Sequence, residues 1–188
     1  MSEINFLKDY FNSLKNLLNH ERYIDDLILV KDVLKKVHSE GKKTMIFGNG
    51  GSAAIASHFS VDLTKNAKVR ATNYNESDLI TCFSNDYGYE KWVEKAIEFY
   101  GDEGDALILI SAGGNSPNMI NGANIAKKKK ISKVITLTGN AENNKLKKLG
   151  DINFWVDSKA YNHIENVHQV LLLSLVDLII GKTEYPPN

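Results

Sequence analysis

The sequence predicts an α/β fold: a flavodoxin-like, doubly wound five-stranded parallel sheet with two leading N-terminal helices. Three observations carry this prediction. From Lys43 onward, short apolar runs alternate with stretches of helical periodicity. The runs Leu107-Ile108-Leu109-Ile110 and Val134-Ile135-Thr136-Leu137 read as strands covered on both faces, as in a parallel sheet. Two strands also end in turns of small residues, at the carboxyl edge where such sheets bind ligands.

Taken in order, residues 3–20 and 22–40 are expected to be amphipathic helices. Phe6, Tyr10, Phe11, Leu14, Leu17 and Leu18 recur at helical spacing in the first, and Ile24, Leu27, Ile28, Val30, Val33, Leu34 and Val37 in the second. Their apolar stripes must cover the α/β core or another subunit. Strands are expected at Thr44–Gly48, 68–74, Ala106–Ser111, Val134–Thr138 and Ile152–Val156. Helices are expected over 52–64, 76–83, 89–100, 117–129, 141–148 and 161–181. The chain reads as one domain over 1–188, with a helical oligomerisation segment over 1–40 and an α/β core over 41–182.

Composition narrows the function classes. A chain of 188 residues suits one domain with a sizeable core. Its 23 basic and 23 acidic residues leave no basic excess for nucleic acid, so no nucleic-acid partner is expected. The run Lys127–Lys130 falls at a helix end, where cations suit the dipole. The single cysteine, Cys82, excludes an intrachain disulfide, fits a reducing cytosol, and is read as a core residue. No leader and no bilayer-spanning run is expected, because Ser174 and Asp177 interrupt the apolar stretch near the C-terminus; no membrane partner follows, and the expected location is cytoplasmic.

The stretch from Thr44 to Leu63 joins a strand, a glycine turn and a helix. Glycines let backbone approach a ligand, and the first N–H groups of a helix favour an anion. The lysine of a P-loop is absent and the dinucleotide spacing does not fit, so no nucleotide cofactor is expected. A second turn, Ser111-Ala112-Gly113-Gly114-Asn115-Ser116, precedes Pro117 at a helix start. Two such turns in one sheet point to a phosphate cradle rather than two ordinary connections. His58 and Asp62 share one face of the first of these helices.

These motifs resemble a known family. Gly48-Asn49-Gly50-Gly51-Ser52-Ala53-Ala54, then His58, then Asn85-Asp86-Tyr87-Gly88, then Gly114-Asn115-Ser116, resemble the sugar isomerase (SIS) domain proteins, most closely the bacterial phosphoheptose isomerases. The similarity spans nearly the whole chain. It implies a homotetrameric cytoplasmic enzyme that interconverts sedoheptulose 7-phosphate and a heptose 7-phosphate for surface-polysaccharide synthesis. It places Asn49, Gly50, Gly51 and Ser52 on the first substrate loop and Asn85 and Asp86 on a second contact. It places Ser111, Ala112, Gly113 and Ser116 on the phosphate loop and His58 on a metal ligand.

The family pattern is not kept throughout. Asp62 stands where the family has a general-base glutamate that also binds metal, and Ala112 and Gly113 replace two hydroxyl residues. Aligning the last helix puts Glu165 at a glutamine that binds metal and substrate, and Leu173 at a catalytic histidine. A shifted register would put His168 at that histidine and Ala160 at the glutamine. The resemblance therefore makes Asp62, Glu165 and His168 the catalytic candidates. Many members bind zinc, for which His58, Asp62 and Glu165 are the ligand candidates; a metal-free role for His58, on sugar hydroxyls or a carboxylate, stays open beside it. A phosphorylated sugar is the expected substrate. A non-catalytic phosphosugar-binding or protein-binding regulator, and an isomerase for another phosphosugar, are the alternatives. His163 is read either as reaching a neighbour's pocket or as a surface residue, His20 and His38 as helix ends, and Trp92 and Trp155 as core or subunit contacts.

Overall fold

The structure, a computed structural model of the chain, describes residues 2–18 and 21–186. His20 lies outside the described residues. Two helices lead, α1 (Glu3–Leu18) and α2 (Arg22–Ser39). The α/β part follows as β1 (Thr44–Gly48), α3 (Gly51–Lys65), β2 (Ala71–Asn73), α4 (Ser77–Tyr87), α5 (Trp92–Tyr100), β3 (Ala106–Ser111), α6 (Pro117–Lys128), β4 (Lys133–Gly139), β5 (Ile152–Val156) and α7 (Tyr161–Ile180). The five strands are all parallel, in the order β2-β1-β3-β4-β5. This is the doubly wound sheet expected from the alternation.

Side chains alternate across the sheet with period two, and each face has its own core. Met45, Phe47, Leu107 and Leu109 pack with Trp92, Val93, Ile97 and Met119 from α5 and α6. Ile46, Ile108, Ile110, Ile135 and Leu137 pack on the opposite face with residues of α2, α3 and α7 such as Leu34, Phe59 and Leu171. Every residue of β1 and β3 is buried. Burial of each large apolar side chain contributes about 1.5–3 kcal/mol relative to exposure, so these central strands hold the sheet together. Buried Asp105 pins their starts: its carboxylate accepts from Lys43 N–H at 3.0 Å and Lys43 Nζ at 2.6 Å.

The register sets the site. Gly48, the last residue of β1, pairs with Ile110 of β3, and Ser111 pairs with Thr138 of β4. The two glycine turns therefore leave the sheet side by side, at the β1/β3 crevice where the chain reverses its winding direction.

Several sequence expectations are corrected. No α-helix covers 141–148; that stretch holds only a 3-10 turn at Lys147–Leu149. Buried Asn144 is the reason: its Nδ2 donates to Ala141 O, its Oδ1 accepts from Lys147 N, and Leu146 N donates to Gly114 O across to the neighbouring turn. These bonds satisfy the backbone without a helix. Strand β2 is shorter than 68–74, since Lys68 takes a positive φ of 57° and the chain enters the sheet only at Ala71. Cys82 is exposed rather than in the core. Leu79, Ile80 and Phe83 form the inward stripe of α4, which turns Cys82 to the opposite face. Contrary to the sequence reading, α7 is long and apolar enough to cross a membrane by length and composition. Its apolar stripe, including Ile164, Val167, Leu171 and Leu175, is buried in the core.

Helix α1 behaves differently. Among its described residues none is buried, and Ile4, Phe6, Leu7 and Phe11 are exposed. Tyr10 packs edge-on against His163, with ring centroids 4.3 Å apart. His163 is thereby buried rather than a surface residue.

Candidate active site

The two turns and the start of α7 enclose a cavity of about 400 Å³. On one side stand Asn49 and Ser52, on the other Ser111 to Gly113 and Ser116, with Tyr161 and Glu165 closing it from α7. Its walls follow from local rules. Gly48 cannot carry a side chain, because a Cβ would meet the Ser52 carbonyl at 2.3 Å. Gly50 adopts φ 53°, which favours glycine and turns the chain sharply into α3. In the second turn, Gly114 has φ 66° and its N–H donates to Ser111 O at 2.9 Å and Ser111 Oγ at 3.2 Å. Ser111 Oγ and Ser116 Oγ stand 3.1 Å apart. Ser116 is the N-cap of α6 and Pro117 its first residue, so the α6 dipole points its positive end at this hydroxyl pair. The cavity thus combines the hydroxyls of Ser52, Ser111, Ser116 and Tyr161 with two helix N-termini, a fitting receptor for a phosphate.

Asn49 is held in place by side chains from α6 and from the turn after α4. Its Nδ2 donates to Asn118 Oδ1 at 3.1 Å, and its Oδ1 accepts from Asn118 Nδ2 at 2.8 Å and from Tyr89 Oη at 3.1 Å. Asn118 is buried in the first turn of α6. Only its place directly after Pro117 could have flagged it. Tyr161 and Asn140 also line the cavity; Asn140 has φ 55°, and it marks the end of β4. Neither carries a motif.

The catalytic and metal candidates separate. Glu165 lines the cavity with its carboxylate against Gly51, where a Cβ would come within 2.3 Å of Oε2. His58 and Asp62 pair with each other at 3.2 Å further along α3, and His58 Nδ1 receives the Gln169 amide at 2.8 Å. Neither His58 nor Asp62 lines the cavity. His168 leaves the site altogether. It falls on the core stripe of α7, is fully buried, and donates from Nε2 to Thr138 O at 3.1 Å. Burial lowers its pKa to about 4, with the Thr138 bond acting the other way. Three residues on from Glu165 it stands about 60° round the helix, and packing of α7 on the sheet places that position against β4 rather than toward the turns. Asn85 and Asp86 also lie outside the cavity: they are exposed at the end of α4 and bonded to each other at 2.9 Å.

Zinc, which the family resemblance implies, does not fit the residues as placed. Glu165 faces the cavity, whereas His58 and Asp62 face each other along α3, and both His58 nitrogens have partners. Among the described residues no three His, Cys, Asp or Glu side chains converge.

The chain matches known proteins in sequence and in fold. The SIS domain family matches residues 9–139. The chain is 32% identical to the phosphoheptose isomerase of Fusobacterium nucleatum over 193 residues, covering 100% of this chain and 98% of the relative. It is 35% identical to that of Buchnera aphidicola over 182 residues, covering 92% and 93%. Among solved structures it resembles a phosphoheptose isomerase from Francisella tularensis, with 25% identity, a TM-score of 0.86, and 97% and 100% of the two chains covered. It also shares the fold of one from Neisseria gonorrhoeae, with 24% identity, a TM-score of 0.87, and 95% and 99% covered. The chain belongs to the SIS domain family.

Proposed function

We propose that the chain is a phosphosugar isomerase that interconverts a ketose phosphate and an aldose phosphate through an enediol. The observation that carries this is one cavity holding a single carboxylate, Glu165, opposite two turns suited to a phosphate and sugar hydroxyls. The name of the relatives, phosphoheptose isomerase, supports a heptose phosphate as substrate; the family resemblance implies sedoheptulose 7-phosphate and D-glycero-D-manno-heptose 7-phosphate as the pair, with a cytoplasmic place in heptose synthesis for surface polysaccharide.

The phosphate rests on Ser111 Oγ, Ser116 Oγ and the Asn118 N–H of α6, since Pro117 has no N–H and those of Met119 and Ile120 donate to Ser116 O. Glu165 removes a proton from the carbon beside the ketose carbonyl; the C–H electrons form the C=C of the enediol, and the carbonyl oxygen takes up a proton. The other oxygen then loses its proton as the former carbonyl carbon gains one, which yields the aldose without any external oxidant. The Gly51 and Ser52 N–H groups at the start of α3 precede the first bonded amides, those of Ala53 and Ala54, and stabilise charge on the enediol oxygens. Asp62 lies ten residues beyond Ser52 on the same helix, roughly 15 Å along its axis. Glu165 is therefore the base.

The exposed apolar residues of α1 support self-association, and the resemblance favours a tetramer. Light scattering that gives a monomer mass at working concentration would contradict this part. The activity is tested by incubating the protein with sedoheptulose 7-phosphate and following the anomeric proton of the aldose by NMR. Growth of that signal is expected; its absence at high enzyme concentration would contradict the reading.

A further inference from the structure

We infer that the His58–Asp62 pair is metal-free for want of a third ligand, and that Gln169 fixes His58 in the tautomer that donates to Asp62. The Gln169 amide nitrogen lies 2.8 Å from His58 Nδ1, and an amide nitrogen only donates. Nδ1 therefore accepts, and the ring proton sits on Nε2, directed at Asp62 Oδ2 at 3.2 Å. In a neutral ring the opposite arrangement, with the Gln169 oxygen toward Nδ1–H, would set the Nε2 lone pair against the Asp62 carboxylate. The chain of donors runs one way, from Gln169 through His58 to Asp62.

A metal needs an imidazole nitrogen without a proton. Here that nitrogen is Nδ1, and a donor from the neighbouring helix covers it. Access is not the obstacle, since the His58 side chain is 52% exposed. Ligand supply is. Among the described residues no third His, Cys, Asp or Glu side chain joins the pair, and one helical turn beyond Gln169 on α7 stands Leu173, which offers no ligand atom. Gln169 is thus a positioning residue that orients the pair and stands in the place of a cation.

Nitrogen-15 long-range NMR of the histidine rings, with zinc chloride added to chelator-treated protein, tests this. In the unsubstituted protein His58 is expected to show the Nε2–H pattern, unchanged at one equivalent of zinc. Gln169→Leu is expected to give a mixture of the two tautomers. Stoichiometric zinc uptake that shifts the His58 nitrogen signals would overturn the metal-free assignment. An unaltered tautomer in Gln169→Leu would overturn the role of Gln169. Both are read without substrate, so their failure and a failure of the isomerase activity are separate results.

Discussion

The carboxylate of Glu165 fills the space beside Gly51 into which any side chain would project, with the nearest oxygen 2.3 Å from where a Cβ would sit. The glycine at the start of α3 and the acid near the start of α7 are therefore one device. The obstructing atoms are the far end of a flexible side chain, so Gly51→Ala should keep the fold and push the carboxylate aside. The expected result is a turnover loss of at least roughly tenfold, since small misplacements of a catalytic group are costly. Thermal unfolding should change little. Steady-state kinetics and a melting curve on the same preparation check both parts.

The two serines of the second turn should separate phosphate binding from stability. Ser116 makes no side-chain cap to its own helix. Ser116→Ala should therefore raise KM with little change in Tm. Ser111 is buried and also accepts the Gly114 N–H. Ser111→Ala should raise KM and destabilise by about 1 kcal/mol as well. Substrate saturation curves and urea unfolding distinguish the pair.

Removal of Asn118 tests how Asn49 is held. Asn118→Ala breaks the reciprocal amide pair and leaves half-buried Asn49 with Tyr89 as its remaining partner. A stability loss of about 1 kcal/mol is expected from the lost hydrogen bonds, together with a higher KM. A variant with full stability and wild-type KM would show that Tyr89 alone suffices to position Asn49.

His168 predicts a pH dependence of stability. Its folded pKa of about 4 lies below the ordinary histidine value of 6.5. Between those values the unfolded chain carries a proton that the folded chain refuses, so acid favours unfolding. The contribution is complete above pH 6.5, falls as the pH drops, and is exhausted near pH 4, for a total of about 3 kcal/mol. Urea unfolding at about pH 7 and about pH 5 should show a loss in the native chain of about 2 kcal/mol from this group, with a smaller drop in His168→Gln.

Much of the fold was legible because its signals are local. The continuous apolar runs of β3 and β4 have few other readings, and Pro117 fixes the start of α6. The region after β4 was misread because its order comes from Asn144 reaching distant backbone, which no periodicity reports. The cradle was legible for a similar reason: glycine and serine turns at strand ends are written consecutively in the chain. The proton chemistry was not. Choosing among Asp62, Glu165 and His168 depends on how α7 is rotated against α3, and that is a packing outcome. One helical step separates Glu165 in the cavity from His168 in the core. Asn118 and Gln169 act through tertiary contacts, and the place of Asn118 directly after Pro117 is the one sequence signal for either.

The central claim is that Glu165, and not Asp62, takes the carbon-bound proton. Deuterium entry into sedoheptulose 7-phosphate in heavy water measures that step directly, at the carbon beside the carbonyl. Rapid exchange is predicted for the native protein, exchange slowed by at least roughly a hundredfold for Glu165→Gln, and retained exchange for Asp62→Asn. Exchange that survives in Glu165→Gln and disappears in Asp62→Asn would contradict the account.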